Sequence, residues 1–158
     1  MEYEIYIKRN ELQQQVDLNT YYLGEAVKRK DADADTLQSS TDEKELFVMF
    51  TKRALNELAT SVALRFSSIR YKVDKEHIEI TFRTDENKRR QLLPLLKQAI
   101  TDYLTNEITT HWILMRYPTA AQPYIAQRAN LCDNVQQMLA KFYNTRPVRR
   151  RSTDLAGI

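Results

Sequence analysis

At 158 residues the chain has the length of one domain, a size at which roughly 70% of the unfolded surface can be buried, so no metal or disulfide staple is required. The net charge of +3 is carried by the last fifteen residues, where Arg146, Arg149, Arg150 and Arg151 face a single acid, Asp154, and residues 1–143 are electroneutral. The lone cysteine excludes an internal disulfide, two glycines exclude a Gly-rich phosphate loop, and no apolar run is long enough for a membrane span.

Tyr3, Ile5 and Ile7 alternate with Glu2, Glu4, Tyr6 and Lys8, the period of a half-buried strand. Asn10 with Gln13 predicts a capping box for a helix bearing Leu12, Val16 and Leu23, with Gly24 either ending or weakening it. Residues 30–41 are polar and aperiodic, which predicts a loop. Ser40 with Glu43, or Asp42 with Glu45, caps a second helix whose stripe runs Leu46, Phe50, Ala54, Leu58, Val62 and Phe66. Ile69, Tyr71 and Val73, a polar turn over 74–77, then Ile78, Ile80 and Phe82 predict a β-hairpin. A lone hairpin is marginal in water. It must pair with the first strand, pack on a helix, or make an oligomer contact through Ile69, Tyr71, Val73, Ile78, Ile80 and Phe82.

Thr84 or Asp85 opens a third helix, with a stripe from Leu92 and Leu96 through Ile100, Tyr103, Leu104 and Ile108 to His111, Trp112 and Met115. Pro94 either kinks that helix or marks its true start. Tyr117-Pro118 ends it. Thr119 with Gln122 predicts another capping box, and Pro123 suits the first turn of a fourth helix lined by Tyr124, Ile125, Leu131, Cys132, Val135, Met138, Leu139 and Phe142. The short connection makes these two helices an antiparallel hairpin, with the stripe of Leu96 to Ile108 packed on Leu131, Val135, Met138 and Phe142. The expected fold is mainly α: a four-helix bundle-like domain over 1–143 with an N-terminal strand and a β-hairpin at 69–82, followed by an extended basic tail at 144–158.

Residue chemistry points away from catalysis, metals and cofactors. Asp31, Asp33 and Asp35 echo the first ligands of an EF-hand, with Asp42 at the twelfth position, but Thr36 replaces the turn glycine and Asp42 is short for bidentate reach. A solvated acidic loop is the competing reading. His77 and His111 are the two histidines, neither at a recognised metal-ligand spacing, and His111 beside Trp112 reads as a satisfied core or interface residue. Cys132 reads as a buried, inert thiol. No nucleophile elbow, His-Glu-x-x-His helix or phosphate loop occurs. Lys88, Arg89 and Arg90 form a basic group that serves either as a solvated face or as a contact for an acidic partner or phosphates.

The tail, with Arg146, Pro147, Val148, Arg149, Arg150, Arg151 and Leu155, has too few large apolar groups to offset its own ordering entropy. It takes a fixed shape only against something outside the chain, another copy or a different protein. Val148 and Leu155 offer small apolar anchors, and the arginine forks pair with carboxylates. Such a tail suits an assembly component rather than a free enzyme.

Tyr3-Glu4-Ile5-Tyr6 leading into Asn10-Glu11-Leu12, then Tyr21-Tyr22-Leu23-Gly24, Ser40-Thr41-Asp42-Glu43, the stretch 95–112 and the ending Phe142-Tyr143 through Arg151 carry a resemblance. In these stretches, in size and in order of elements, the chain resembles the small helical head-to-tail connector (adaptor or neck) proteins of tailed bacteriophages, especially those of phages of gut Bacteroidetes. The resemblance implies a structural virion protein, made in the bacterial cytoplasm and placed in the neck. There it would form a homo-oligomeric ring of about a dozen copies that binds the portal and other neck or tail proteins. DNA would pass through its channel without sequence-specific binding, and no membrane, catalysis or cofactor is implied. A tail-completion or tail-terminator protein is an alternative within the virion. A small nucleic-acid-binding regulator using the Arg-rich tail is an alternative of another class, although the chain lacks a zinc-finger spacing.

Overall fold

The computed structural model describes residues 2–28, 44–63, 66, 69–84 and 90–142. Strand β1, Glu2–Lys8, alternates between buried and exposed side chains, with Tyr3, Ile5 and Ile7 turned inward. It runs directly into helix α1, Arg9–Lys28. The junction is held by the hairpin turn: the Arg9 backbone N–H donates to the Glu76 carbonyl at 2.9 Å, and its guanidinium donates to the Asp74 carbonyl at 3.1 Å. Asn10 therefore lies inside the first turn, and the capping box expected from Asn10 and Gln13 is replaced by this contact between distant segments. Gly24 sits within α1 and does not end it.

Helix α2, Lys44–Ala63, buries Phe47, Phe50, Ala54, Leu55, Leu58 and Val62. Its expected caps at 40–43 fall outside the described residues. Phe66 follows the helix, its N–H donating to the Val62 carbonyl at 2.9 Å. The hairpin forms as β2, Arg70–Val73, and β3, His77–Arg83, closed by the Asp74 N–H on the His77 carbonyl at 2.8 Å. Both β1 and β2 pair antiparallel with β3, giving the order β1-β3-β2. The register sets Tyr3 opposite Phe82, Ile5 opposite Ile80 and Ile7 opposite Ile78, so three apolar pairs line one face.

This sheet corrects the expectation of an oligomer contact through the whole apolar set. Ile78, Ile80 and Phe82 are at most 1% exposed, and Ile69 is buried with them, so these side chains are committed to the chain's own core. Tyr71 and Val73 are half-buried against the same cluster, and the Tyr71 hydroxyl bonds Asn56 Oδ1.

Thr84 is buried but precedes the next helix. A 3-10 turn at Arg90–Leu92 leads into helix α3, Leu93–Arg116, with Pro94 in its first turn. Pro94 thus marks the start, where its missing N–H breaks no helical bond. Packed on α1, α2 and the following helix, α3 is the central helix, and it is buried nearly all round from Tyr103 to Ile113. Its expected stripe overran at one point: Met115 is 48% exposed, because in the last turn Ile113, not Met115, takes the face packed on Leu23, Ala121 and Tyr124. A second 3-10 turn, Pro118–Ala120, joins α3 to α4, Gln122–Ala140. The N-cap of α4 is Ala121, with no side-chain cap bond. The expected Thr119–Gln122 box is absent because the 3-10 turn takes up that stretch. Val135, Leu139 and Phe142 are buried and join the core of Leu96, Ile100, Leu104 and Ile108, while Tyr124 and Ile125 pack on a smaller cluster around Ile113 and Ala121.

The protein is thus mainly helical, with four helices and a small three-stranded antiparallel sheet among the described residues. The basic tail lies outside them. No described helix is long and apolar enough to cross a membrane.

Candidate functional site

Three helices bring ionisable side chains together inside the bundle. Glu107 and His111 are four residues apart on α3, so they share a face one turn apart. Glu57 approaches them from α2, and Arg128 from α4. Glu107 is fully buried and His111 is 8% exposed, whereas the side chains of Glu57 and Arg128 are each 40% exposed. The Arg128 guanidinium donates through Nε to Glu107 Oε1 at 2.5 Å. His111 Nε2 lies 3.7 Å from Glu107 Oε2 and 3.9 Å from Glu57 Oε1. Arg53, one turn before Glu57, stands 3.7 Å from the same Glu57 oxygen.

The surroundings explain the protonation behaviour. Burial pushes the Glu107 carboxyl up to about 7, helped by the adjacent Glu57 and opposed by Arg128. Burial also depresses His111, with Arg53 and Arg128 acting in the same sense and Glu57 against it. Phe50 stacks on the imidazole, ring centroids 5.8 Å apart, and meets Trp112 edge-on at 6.2 Å. A cleft of about 400 Å³ opens beside the cluster, rimmed by Met49, Arg53, Leu114 and Met115.

The expectation that His111 is a satisfied core residue holds only for its burial. Glu107 Oε2 and His111 Nε2 have no hydrogen-bond partner. Glu107 precedes His111 by one helical turn, and a carboxylate and an imidazole so placed can share a ligand, which the spacing of the histidines alone does not reveal. That signal is present in the sequence; Glu57 and Arg128 lie on other helices and become visible only in the fold. Cys132 is half-buried rather than buried, with its sulfur 3.4 Å from Ser61 Oγ.

Other sequence-derived candidates are not gathered here. Arg90 is exposed at the start of the 3-10 turn, while Lys88 and Arg89 lie outside the described residues. So do Asp31, Asp33, Asp35 and Asp42, and the tail residues Arg146, Pro147, Val148, Arg149, Arg150, Arg151 and Leu155.

Elsewhere, among the described residues, exposed apolar side chains gather in two groups on separate elements, apart from the single Tyr6 and Leu95. Leu18, Tyr21 and Tyr22 project from one face of α1, 44–66% exposed, with the two tyrosine rings in edge contact at 5.7 Å. Met49 of α2 with Leu114 and Met115 of α3 forms the other, at the rim of the cleft. No protein-family model matches the chain, and comparison with curated proteins and with solved structures finds no match either.

Proposed function

We infer that the protein is a structural subunit of a tailed-phage virion, a head-to-tail connector that assembles into a ring between portal and tail. The observation that carries this reading is the pair of exposed apolar groups on separate elements. A closed ring is built by heterologous contacts, in which one patch of each copy meets a different patch of the next. The Leu18, Tyr21, Tyr22 face and the Met49, Leu114, Met115 rim supply two such unlike patches. The order of elements, strand, helix, helix, hairpin and helical hairpin, agrees with the order from which the resemblance to connectors was drawn. In this reading the basic tail docks in a groove of a neighbour or of the portal, and the subunit performs no catalysis.

The test is assembly of purified chain with portal rings, followed by analytical ultracentrifugation. The intact chain should form a ring or bind the portal. Tyr22→Asp, Met115→Glu and deletion of residues 146–158 should each leave helicity unchanged and abolish assembly. A chain that stays monomeric with portal present, or a truncated chain that assembles normally, overturns the reading. Salt-dependent binding of the isolated chain to duplex DNA would favour a nucleic-acid-binding regulator instead.

A further inference from the structure

The buried cluster has the makings of a metal site, a conclusion independent of the assembly reading. Glu57, Glu107 and His111 each present one ligand atom, and the three atoms lie within 4.8 Å of one another. The two separations from His111 Nε2, 3.7 and 3.9 Å, exceed the hydrogen-bond range of about 2.7–3.2 Å. Yet two of the atoms, Glu107 Oε2 and His111 Nε2, are buried with nothing else to satisfy them. Leaving a buried polar atom unpaired costs about 1–3 kcal/mol. Ligand atoms bound tetrahedrally at about 2.0–2.2 Å stand about 3.3–3.6 Å apart, within a few tenths of an ångström of the two separations from His111 Nε2.

The carboxylate is already oriented for the task. Glu107 spends Oε1 on Arg128, which fixes the plane of the group and leaves Oε2 toward His111. A second polar partner that orients a ligand in this way is a usual companion of metal-binding side chains. We propose that Glu57, Glu107 and His111 hold a divalent transition-metal ion of the zinc type, with three protein ligands and a fourth position open to the cleft beside Met49 and Met115. An imidazole in the set selects such an ion over magnesium or calcium, which prefer all-oxygen shells. The bound ion ties α2 to α3. Arg53 competes for Glu57 but is 65% exposed, so it swings into water when the ion enters.

The experiment uses the full chain, stripped with chelator and titrated calorimetrically with zinc chloride. One ion should bind per chain, and magnesium should give no heat. Glu57→Gln and His111→Ala should each weaken zinc binding by roughly 100-fold or more, since loss of a ligand exceeds the 10–100-fold cost of losing an orienting partner. Arg53→Ala should tighten it, and His77→Ala, remote from the cluster, should leave it unchanged. Circular dichroism checks that each variant is folded; the half-exposed Glu57 makes Glu57→Gln decisive even where His111→Ala misfolds. Absence of stoichiometric uptake, or uptake that Glu57→Gln does not weaken, overturns the site.

Discussion

Phe82 offers the sharpest test of the core. It is 1% exposed on β3, with its ring stacked on Tyr3 of β1 at 5.4 Å and 24° and meeting Phe142, just past α4, edge-on at 5.4 Å and 82°. Tyr3 and Phe142 also meet, at 5.5 Å, so the three rings join the first strand, the central strand and the end of the last helix. Phe82→Ala removes a buried aromatic side chain and leaves a cavity, a loss of about 3–5 kcal/mol. Phe82→Leu keeps most of the apolar burial but forfeits two ring pairs at about 0.5–1.5 kcal/mol each, a loss of about 1–3 kcal/mol. Urea unfolding followed by far-ultraviolet circular dichroism measures both, and repetition at several protein concentrations separates folding from association. A double-mutant cycle of Phe82→Leu with Phe142→Leu should show a coupling of about 0.5–1.5 kcal/mol. A cost below about 1 kcal/mol for Phe82→Ala, or one that vanishes on dilution, would mean that Phe82 serves a subunit contact rather than the core.

Ile100→Ala and Leu104→Ala, both at sites with no exposure on α3, should each cost about 2–5 kcal/mol in the same assay; a loss under about half a kcal/mol at both would reject the central place of α3. For the chelator-treated chain, a Glu107 carboxyl raised from 4.5 to about 7 favours the folded state while protonated. That contribution is complete below about pH 4.5 and is lost as pH rises through about 7, so wild type should lose about 3 kcal/mol relative to Glu107→Gln across that window. A difference that stays flat with pH would show that Arg128 keeps the carboxylate ionised throughout.

Periodicity made the strands and the main helical stripes legible. The alternation of Tyr3, Ile5 and Ile7 and the stripe from Leu96 to Ile108 describe faces that each element must bury, a property its own residues encode. Helix boundaries were less legible, because Asn10–Gln13 and Thr119–Gln122 match a local capping pattern that competing contacts displaced. At α1 the turn of a hairpin more than sixty residues away takes the role of the cap. At α4 a 3-10 turn fills the approach. Pro94 could be read either way until the 3-10 turn before it showed where α3 begins. For the buried cluster, half lay in plain view as Glu107 and His111 on one helical face. The rest, Glu57 and Arg128, depends on how α2 and α4 pack on α3, which no local pattern states.

The sheet also dictates an order of events during synthesis. The central strand is the last of the three to be made, and Glu2 must wait for Arg83, its partner 81 residues later. Until β3 has left the ribosome, β1 has no strand to pair with, and Tyr3, Ile5 and Ile7 lack their cross-strand partners Phe82, Ile80 and Ile78 while α1 and α2 emerge. Closing so long a loop before any contact rewards it slows folding, and the waiting strand is an open edge for other nascent chains. The flanking Glu2, Glu4 and Lys8 are then more than a solvated face: charge along an edge strand is a device that discourages pairing with other chains.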